Sequence, residues 1–321
     1  MRYFRYIFII CLSGFFSEGY ANVETLPARA VTYTLSGGRL GDNLIAYAHA
    51  KWISYRYGLP LLYKEFPLSD LFVLDDVEVK WTDEMWNKFD HHVEFKQYDL
   101  IDAFIQRSIF FNKVLYTIPY FPNSQWELTP TANYHPTFPY FPINWKDPEF
   151  LSLLKSMIAP KTAIPPMILP KDKITVALHV RKGSGHDEAN PSLTFPLKFP
   201  PDEFFITQLR NLCHQLNEQP LYVHLFTDNQ NPKAIQAKYK EALSDLDIEF
   251  MCRKEENRWD ANVLEDFFAL TQFDCAIHGE SNFSVCASFL ANYQIEILPK
   301  TYHIENGAVH IDEAIIFRNS F

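Results

Sequence analysis

The chain lacks the patterns that mark a metalloprotein. It has five cysteines and no C-x-x-C pair, so a finger-type zinc site has no support. Its one D-x-D, Asp245-Leu246-Asp247, leads into a strand pattern at Ile248, the wrong end of a strand for an active site in an open sheet. Asp75-Asp76 has no histidine near it in sequence. These absences predict chemistry without a metal or any other cofactor. Positive charge is scarce too: 29 Lys and Arg against 39 Asp and Glu leave a formal net charge of −10. A nucleic-acid partner needs clustered cations along a phosphate backbone and is excluded, whereas a single nucleotide ligand needs only a few local donors. Past the N-terminus no apolar run is long enough to span a bilayer. Internal repeats are absent.

What is present describes a globular chain. The 321 residues are 47% apolar and 21% charged, enough for two domains that each bury a core. The 28 Phe and 17 Tyr suit cores and also surfaces on which sugars stack. Residues 1–21 read as a secretory signal peptide: Arg2 and Arg5, then the apolar stretch Tyr6 to Phe16, then Gly19-Tyr20-Ala21. Cleaved, it makes the protein secreted or periplasmic; retained, it is a membrane anchor. Of the later cysteines, Cys213, Cys275 and Cys286 lie in apolar patterns, and with Cys252 they are expected as buried thiols rather than disulfides.

Strand and helix patterns alternate through the C-terminal half. Strands are predicted at Ile174–Val180, Leu221–Phe226, Ile248–Met251, Cys275–Ile277 and Ile295–Leu298. Helices are predicted after Pro200-Pro201 and over Pro232–Leu243, Val263–Phe273 and Phe283–Ala291. Such alternation means a parallel sheet with covered faces. The N-terminal half opens with a strand over Val31–Leu35, a Gly-rich turn and a helix over Leu44–Tyr57. From Trp81 to Pro170 the pattern loosens, and Tyr120 to Pro142 reads as an ordered aromatic loop. The prolines from 160 to 170 suggest a boundary, giving an N-terminal α/β domain over 22–165 and a C-terminal Rossmann-like domain over 166–321.

Three blocks carry candidate chemistry. In Ser36-Gly37-Gly38-Arg39-Leu40-Gly41-Asp42-Asn43, glycines between a strand and a helix let a ligand approach the free N–H groups of the helix start, which Asp42 or Asn43 can also cap. His179-Val180-Arg181-Lys182 closes a strand, so His179 and Arg181 share a side at the C-terminal end where open α/β sheets bind ligands. An arginine there can grip a pyrophosphate through two parallel hydrogen bonds. The polar loop Gly183-Ser184-Gly185-His186-Asp187-Glu188 follows, with two adjacent carboxylates. The third block is Glu265-Asp266-Phe267-Phe268, then Gly279-Glu280-Ser281-Asn282-Phe283-Ser284 opening a helix after a strand. Asp266 also suits a plain helix start, and Asn282-Phe283-Ser284 matches the glycosylation pattern.

In this order the blocks resemble the superfamily of α-1,2-, α-1,6- and protein O-fucosyltransferases. GGRLGDN at Gly37 to Asn43, HVRK at His179 to Lys182 and EDFFALTQFD…SNFS from Glu265 to Ser284 carry the resemblance. It implies a GT-B-type fold of two Rossmann-like halves and metal-independent, inverting transfer of fucose from GDP-fucose to a glycan hydroxyl, of α-1,2 or α-1,6 type. It implies that Arg181, with Lys182, binds the β-phosphate. His179 and Asp266 would recognise guanosine. Ser281, Asn282 and Phe283 would hold the pyrophosphate, while Gly38, Gly41 and Asn43 would close the site from the N-terminal half. Two departures stand out. Lys182 occupies the place of a second arginine, and the nearest carboxylates to serve as catalytic base are Asp187 and Glu188, after an inserted Gly-Ser-Gly. Open alternatives are a transferase using GDP-mannose or a UDP-sugar, a non-catalytic periplasmic sugar-binding protein, and a transferase fold that binds without turnover.

Overall fold

The computed structural model describes residues 26–95, 104–105, 107–120, 143–144, 147–183, 190–253, 257 and 260–318. The expected α/β class is found, built on two main sheets. A small parallel sheet has the order β1-β5-β4, from β1 (Arg29–Tyr33), β4 (His91–Glu94) and β5 (Val114–Ile118). β2 (Leu62–Tyr63) and β3 (Val79–Lys80) form a two-residue parallel pair beside it. The large sheet uses β6 (Ile174–His179), β7 (Leu221–Phe226), β8 (Ile248–Cys252), β9 (Cys275–His278), β10 (Ile295–Glu305) and β11 (Ala308–Arg318), in the order β11-β10-β9-β6-β7-β8.

Five of those six strands are parallel, as the alternation predicts. The sixth corrects the expectation. β10 does not stop near Leu298 but runs to Glu305, turns, and returns antiparallel as β11. The turn is Asn306-Gly307, both at positive φ (50° and 76°), the backbone that a two-residue hairpin with strand-matching twist requires. Within the loosely patterned region, β4, β5 and a helix over Pro148–Ile158 were not anticipated. β5 is the middle strand of its sheet, and four of its five residues are buried.

Among the described residues, six longer helices cover the sheets: α1 (Leu40–Tyr57), α2 (Pro148–Ile158), α3 (Asp202–Gln215), α4 (Pro232–Ala242), α5 (Val263–Leu270) and α6 (Asn282–Leu290). α2 starts on Asp147, whose carboxylate accepts the Glu149 and Phe150 N–H groups at 3.1 and 3.0 Å, with Pro148 in the first turn. α1 begins four residues before the Leu44 expected, which draws Leu40 to Asn43 out of the Gly-rich turn and into the helix. Thirteen of its residues, from Leu40 to Ser54, are buried, so α1 is apolar on nearly every side, the pattern of a helix enclosed by other elements. It packs on β1 and on α6. One hydrophobic core therefore runs from Val31 and Tyr116 of the small sheet through Leu44 and Tyr47 to Val285, Ala276 and Phe226 on the large one. A second core lies on the other face of the large sheet, under α3 and α4. All four later cysteines are free and buried, as expected. Among the described residues no helix is long and apolar enough to cross a membrane. Residues 1–25 lie outside the described part, so the expected leader does too.

Candidate active site

The site forms where three parallel strands end together. β6 lies between β7 and β9, and in register His179 stands beside Phe226 on one side and His278 on the other. The chain beyond each end supplies a different group: Val180-Arg181 after β6, Thr227-Asp228 after β7, Gly279-Glu280-Ser281 after β9. Opposite them stands the start of α1. Between them is a cleft of about 420 Å³, lined by Gly38 to Asp42 from one side and by His179, Arg181, Asp228, Asp266 and Ser281 to Phe283 from the other. Pro67, Leu68, Phe226, Thr227, Asp260, Ala261 and Val263 complete its wall.

Two helix N-termini converge on this cleft, from α1 and from α6. They touch: a Cβ on Gly41 would lie 2.4 Å from the Phe283 nitrogen and 2.5 Å from the Asn282 carbonyl carbon, so only glycine fits there. Asp42 accepts the Arg39 N–H at 3.1 Å through Oδ2, capping α1. Its other oxygen accepts the Tyr120 hydroxyl at 3.0 Å and the Asn282 amide, and that amide also donates to Tyr120 at 3.2 Å. α6 is left uncapped, because the hydroxyl of its N-cap Ser281 accepts Arg181 Nη1 at 2.8 Å instead of a helix N–H. The first-turn N–H groups of α6 thus remain available to an anion.

Arg181 is held on three sides. Besides Ser281, its guanidinium lies 3.8 Å from Asp228 Oδ2 and 5.4 Å over the Phe199 ring. Asp228 is fixed in turn by the Lys182 and Gly183 N–H groups at 2.6 and 3.1 Å. Burial pulls the Arg181 guanidinium down from its usual pKa, with Asp228 opposing. His179 is buried against Phe283, ring centroids 5.7 Å apart, and burial pushes its imidazole down to about 3, so it is neutral at pH 7. Its Nδ1 has no hydrogen-bond partner among the described residues. Asp266 sits in the first turn of α5, lines the cleft and is paired with Arg253. Burial raises its carboxyl to about 6 against the pull of that arginine.

Most residues singled out in the sequence meet here: Gly38, Gly41, His179, Arg181, Asp266, Ser281, Asn282 and Phe283 all line the cleft. Two do not. Lys182 points across the sheet end to Asp202, at 2.5 Å, because alternation along the chain puts it on the side opposite Arg181. Asn43 is buried beneath the Gly-rich loop, where its amide donates to the Gly38 and Arg39 carbonyls at 3.0 and 3.2 Å and its oxygen accepts Ser36. It shapes the loop and does not face the cleft. Asn282 is buried at the junction with α1, which leaves no room for a glycan. Asp187 and Glu188 lie outside the described residues.

Three further groups were not anticipated. Asp228 follows a strand end and could have been found by the same rule that picked out Arg181. Tyr120 is reachable only through the fold. Lys198 lies in the loop before α3, its ammonium 5.6 and 5.7 Å from the Phe195 and Phe199 ring centroids. Burial and the nearby charge of Arg181 press it down to about 8. Elsewhere, Asp245 is clamped by Arg210 and Asp75 by Lys80 and Lys161, so neither acidic pair forms part of the cleft.

No protein-family model and no curated protein matches the chain. Solved structures do resemble it. A mutant of Arabidopsis thaliana FUT1 in complex with GDP superposes with a TM-score of 0.54 at 13% identity, over 90% of this chain and 73% of that one. The fucosyltransferase NodZ from Bradyrhizobium gives 0.43 at 15% identity, over 92% of this chain and 100% of that one. POFUT1 in complex with GDP-fucose gives 0.42 at 10% identity, over 84% and 96%. At these identities the FUT1 match establishes a shared fold and the other two decide nothing, because one fold hosts many activities.

Proposed function

We propose that the chain is a glycosyltransferase that moves L-fucose from GDP-fucose to a glycan hydroxyl by inverting displacement without a metal. The observation that carries this reading is Arg181: it stands at the C-terminal end of β6, hydrogen-bonded to the serine that would otherwise cap α6, with two helix N-termini converging beside it. That is a site for a diphosphate. The FUT1 structure that shares this fold holds GDP, which favours the same ligand. We read the large-sheet half as the donor side and the small-sheet half as the acceptor side.

Breaking the bond to the anomeric carbon builds positive charge on the sugar and negative charge on the departing diphosphate. Arg181, fixed by Ser281 and Asp228, is preorganised to receive that negative charge, and the α6 N–H groups add to it. Arg39 on the cleft wall and Lys198, rather than Lys182, are the further cations near Arg181. On the cleft wall, ionised Asp266 can accept the two N–H donors on the edge of guanine, while neutral His179 offers a ring nitrogen to the nucleoside. The acceptor hydroxyl needs a carboxylate to take its proton; Asp187 and Glu188 are our candidates.

A thermal-shift series tests the proposal. GDP-fucose and GDP should raise the melting temperature, since a ligand binding only the native state at a hundredfold excess over its Kd stabilises by about 2.7 kcal/mol. UDP-sugars should not. An equal response to UDP-sugars would remove the guanine assignment, and transfer from GDP-mannose but not GDP-fucose would change the sugar.

A further inference from the structure

The hairpin at the sheet edge carries side chains that the cleft does not use. β10 and β11 pair with His303 opposite His310, Ile304 opposite Val309 and Glu305 opposite Ala308. Residues two apart on a strand share a face, as do directly opposed residues. His303, Glu305, His310 and Asp312 therefore stand on one face of the hairpin, and all four are exposed. Ligand atoms of His303, Glu305 and His310 lie within 4.8 Å of one another. The two imidazoles stack with centroids 5.0 Å apart and planes inclined by 16°. Asp312 Oδ1 sits 2.6 Å from His303 Nδ1.

We propose that this face binds one divalent transition-metal ion of the zinc class through His303, His310 and Glu305, with Asp312 as the positioning residue of His303. Two imidazoles and a carboxylate suit zinc and its neighbours, whereas magnesium and calcium take oxygen ligands. A carboxylate on Nδ1 keeps the proton there, fixes the ring plane and leaves Nε2 as the donor atom. Glu305 and Asp312 together bring two negative charges to meet the ion. Core packing gives no reason for the pairing of the two histidines, since neither is buried. None of these four residues lines the cleft around Arg181, and the metal site does not depend on the proposed transfer activity.

The test is a zinc titration of the purified, untagged chain against a chromophoric chelator. One zinc per chain is expected, with magnesium unable to compete. His303→Ala and His310→Ala should each weaken binding at least tenfold, and the double variant should abolish it. Asp312→Asn should weaken it on the order of ten- to a hundredfold, the usual range for a partner of a metal-bound histidine. Circular dichroism of each variant checks that the exposed substitutions leave the fold intact. Equal zinc uptake by the wild type and the His303→Ala/His310→Ala double variant would overturn the site. Unchanged affinity in Asp312→Asn would overturn the positioning role.

Discussion

At the scale of single residues, the cleft is a set of side chains whose alternative partners have been removed. Arg181 is the clearest case, since its hydrogen-bonding fork meets a serine hydroxyl and a carboxylate already committed to two backbone N–H groups. Lysine at this position keeps the charge and loses the planar fork. Arg181→Lys should therefore fold normally, hold GDP somewhat less tightly and lose on the order of a hundredfold or more in turnover, because the contact strengthens as charge moves onto the leaving group. Steady-state kinetics beside GDP titrations separate the two losses; normal turnover would place the diphosphate elsewhere. Asp266 makes a pH prediction. Its folded-state pKa of about 6 stands above the ordinary 3.8, so the group stabilises the fold fully below the ordinary value and that contribution is lost as pH rises through 6. Guanine needs the ionised form, so GDP affinity should move the other way and rise between pH 5 and 7. Asp266→Asn should bind GDP weakly at every pH and flatten both profiles.

At the scale of elements, the junction of α1 and α6 is a close backbone-to-backbone contact. Gly41→Ala would drive a methyl into the backbone of Asn282 and Phe283, and neither helix can yield without shifting the cleft. We expect a loss of stability of about 1–3 kcal/mol, as for other overpacked sites, with GDP affinity falling in parallel. Chemical denaturation and GDP titration check both. Which elements the sequence betrayed follows from the same physics. The strands β6, β7 and β9 are short apolar runs bounded by helices, and pattern alone places them within a residue or two. β5 was missed because its buried residues fall in a chain already rich in Phe and Tyr, so Val114 to Ile118 does not stand out. β11 was missed although Asn306-Gly307 is a strong hairpin signal, because its exposed, charged residues dilute the apolar alternation. Arg181, His179 and Ser281 were legible because a strand end in a parallel sheet is a place that sequence can specify. Lys182 was misplaced by neglecting alternation one residue further on. Tyr120 was invisible because its meeting with Asp42 and Asn282 joins positions 78 and 162 residues away.

At the scale of the molecule, two carboxylate-rich regions have different expected uses. The cleft's Asp42 and Asp228 are occupied by hydrogen-bond donors, and Asp266 is paired with Arg253. Among the described residues, the one group able to share a metal lies on the hairpin. Transfer from GDP-fucose should accordingly persist in EDTA even as the hairpin releases its zinc; activity abolished by EDTA and restored by manganese would show that the leaving group is stabilised by an ion. The passage of a single core through α1 has a last consequence, for cooperativity. Two lobes that shared only a linker could melt one after the other and swing about a hinge. Here the helix that roofs the small sheet is also a wall of the large one, so removing either half strips the other of its apolar cover. Calorimetry should show one transition, with van't Hoff and calorimetric enthalpies equal. We expect the same joint to oppose a wide clamshell motion, since the backbone of Gly41 is already in close contact with that of Asn282 and Phe283. On the proposed reading, a nucleotide-sugar donor would enter a cleft whose width the joint already sets.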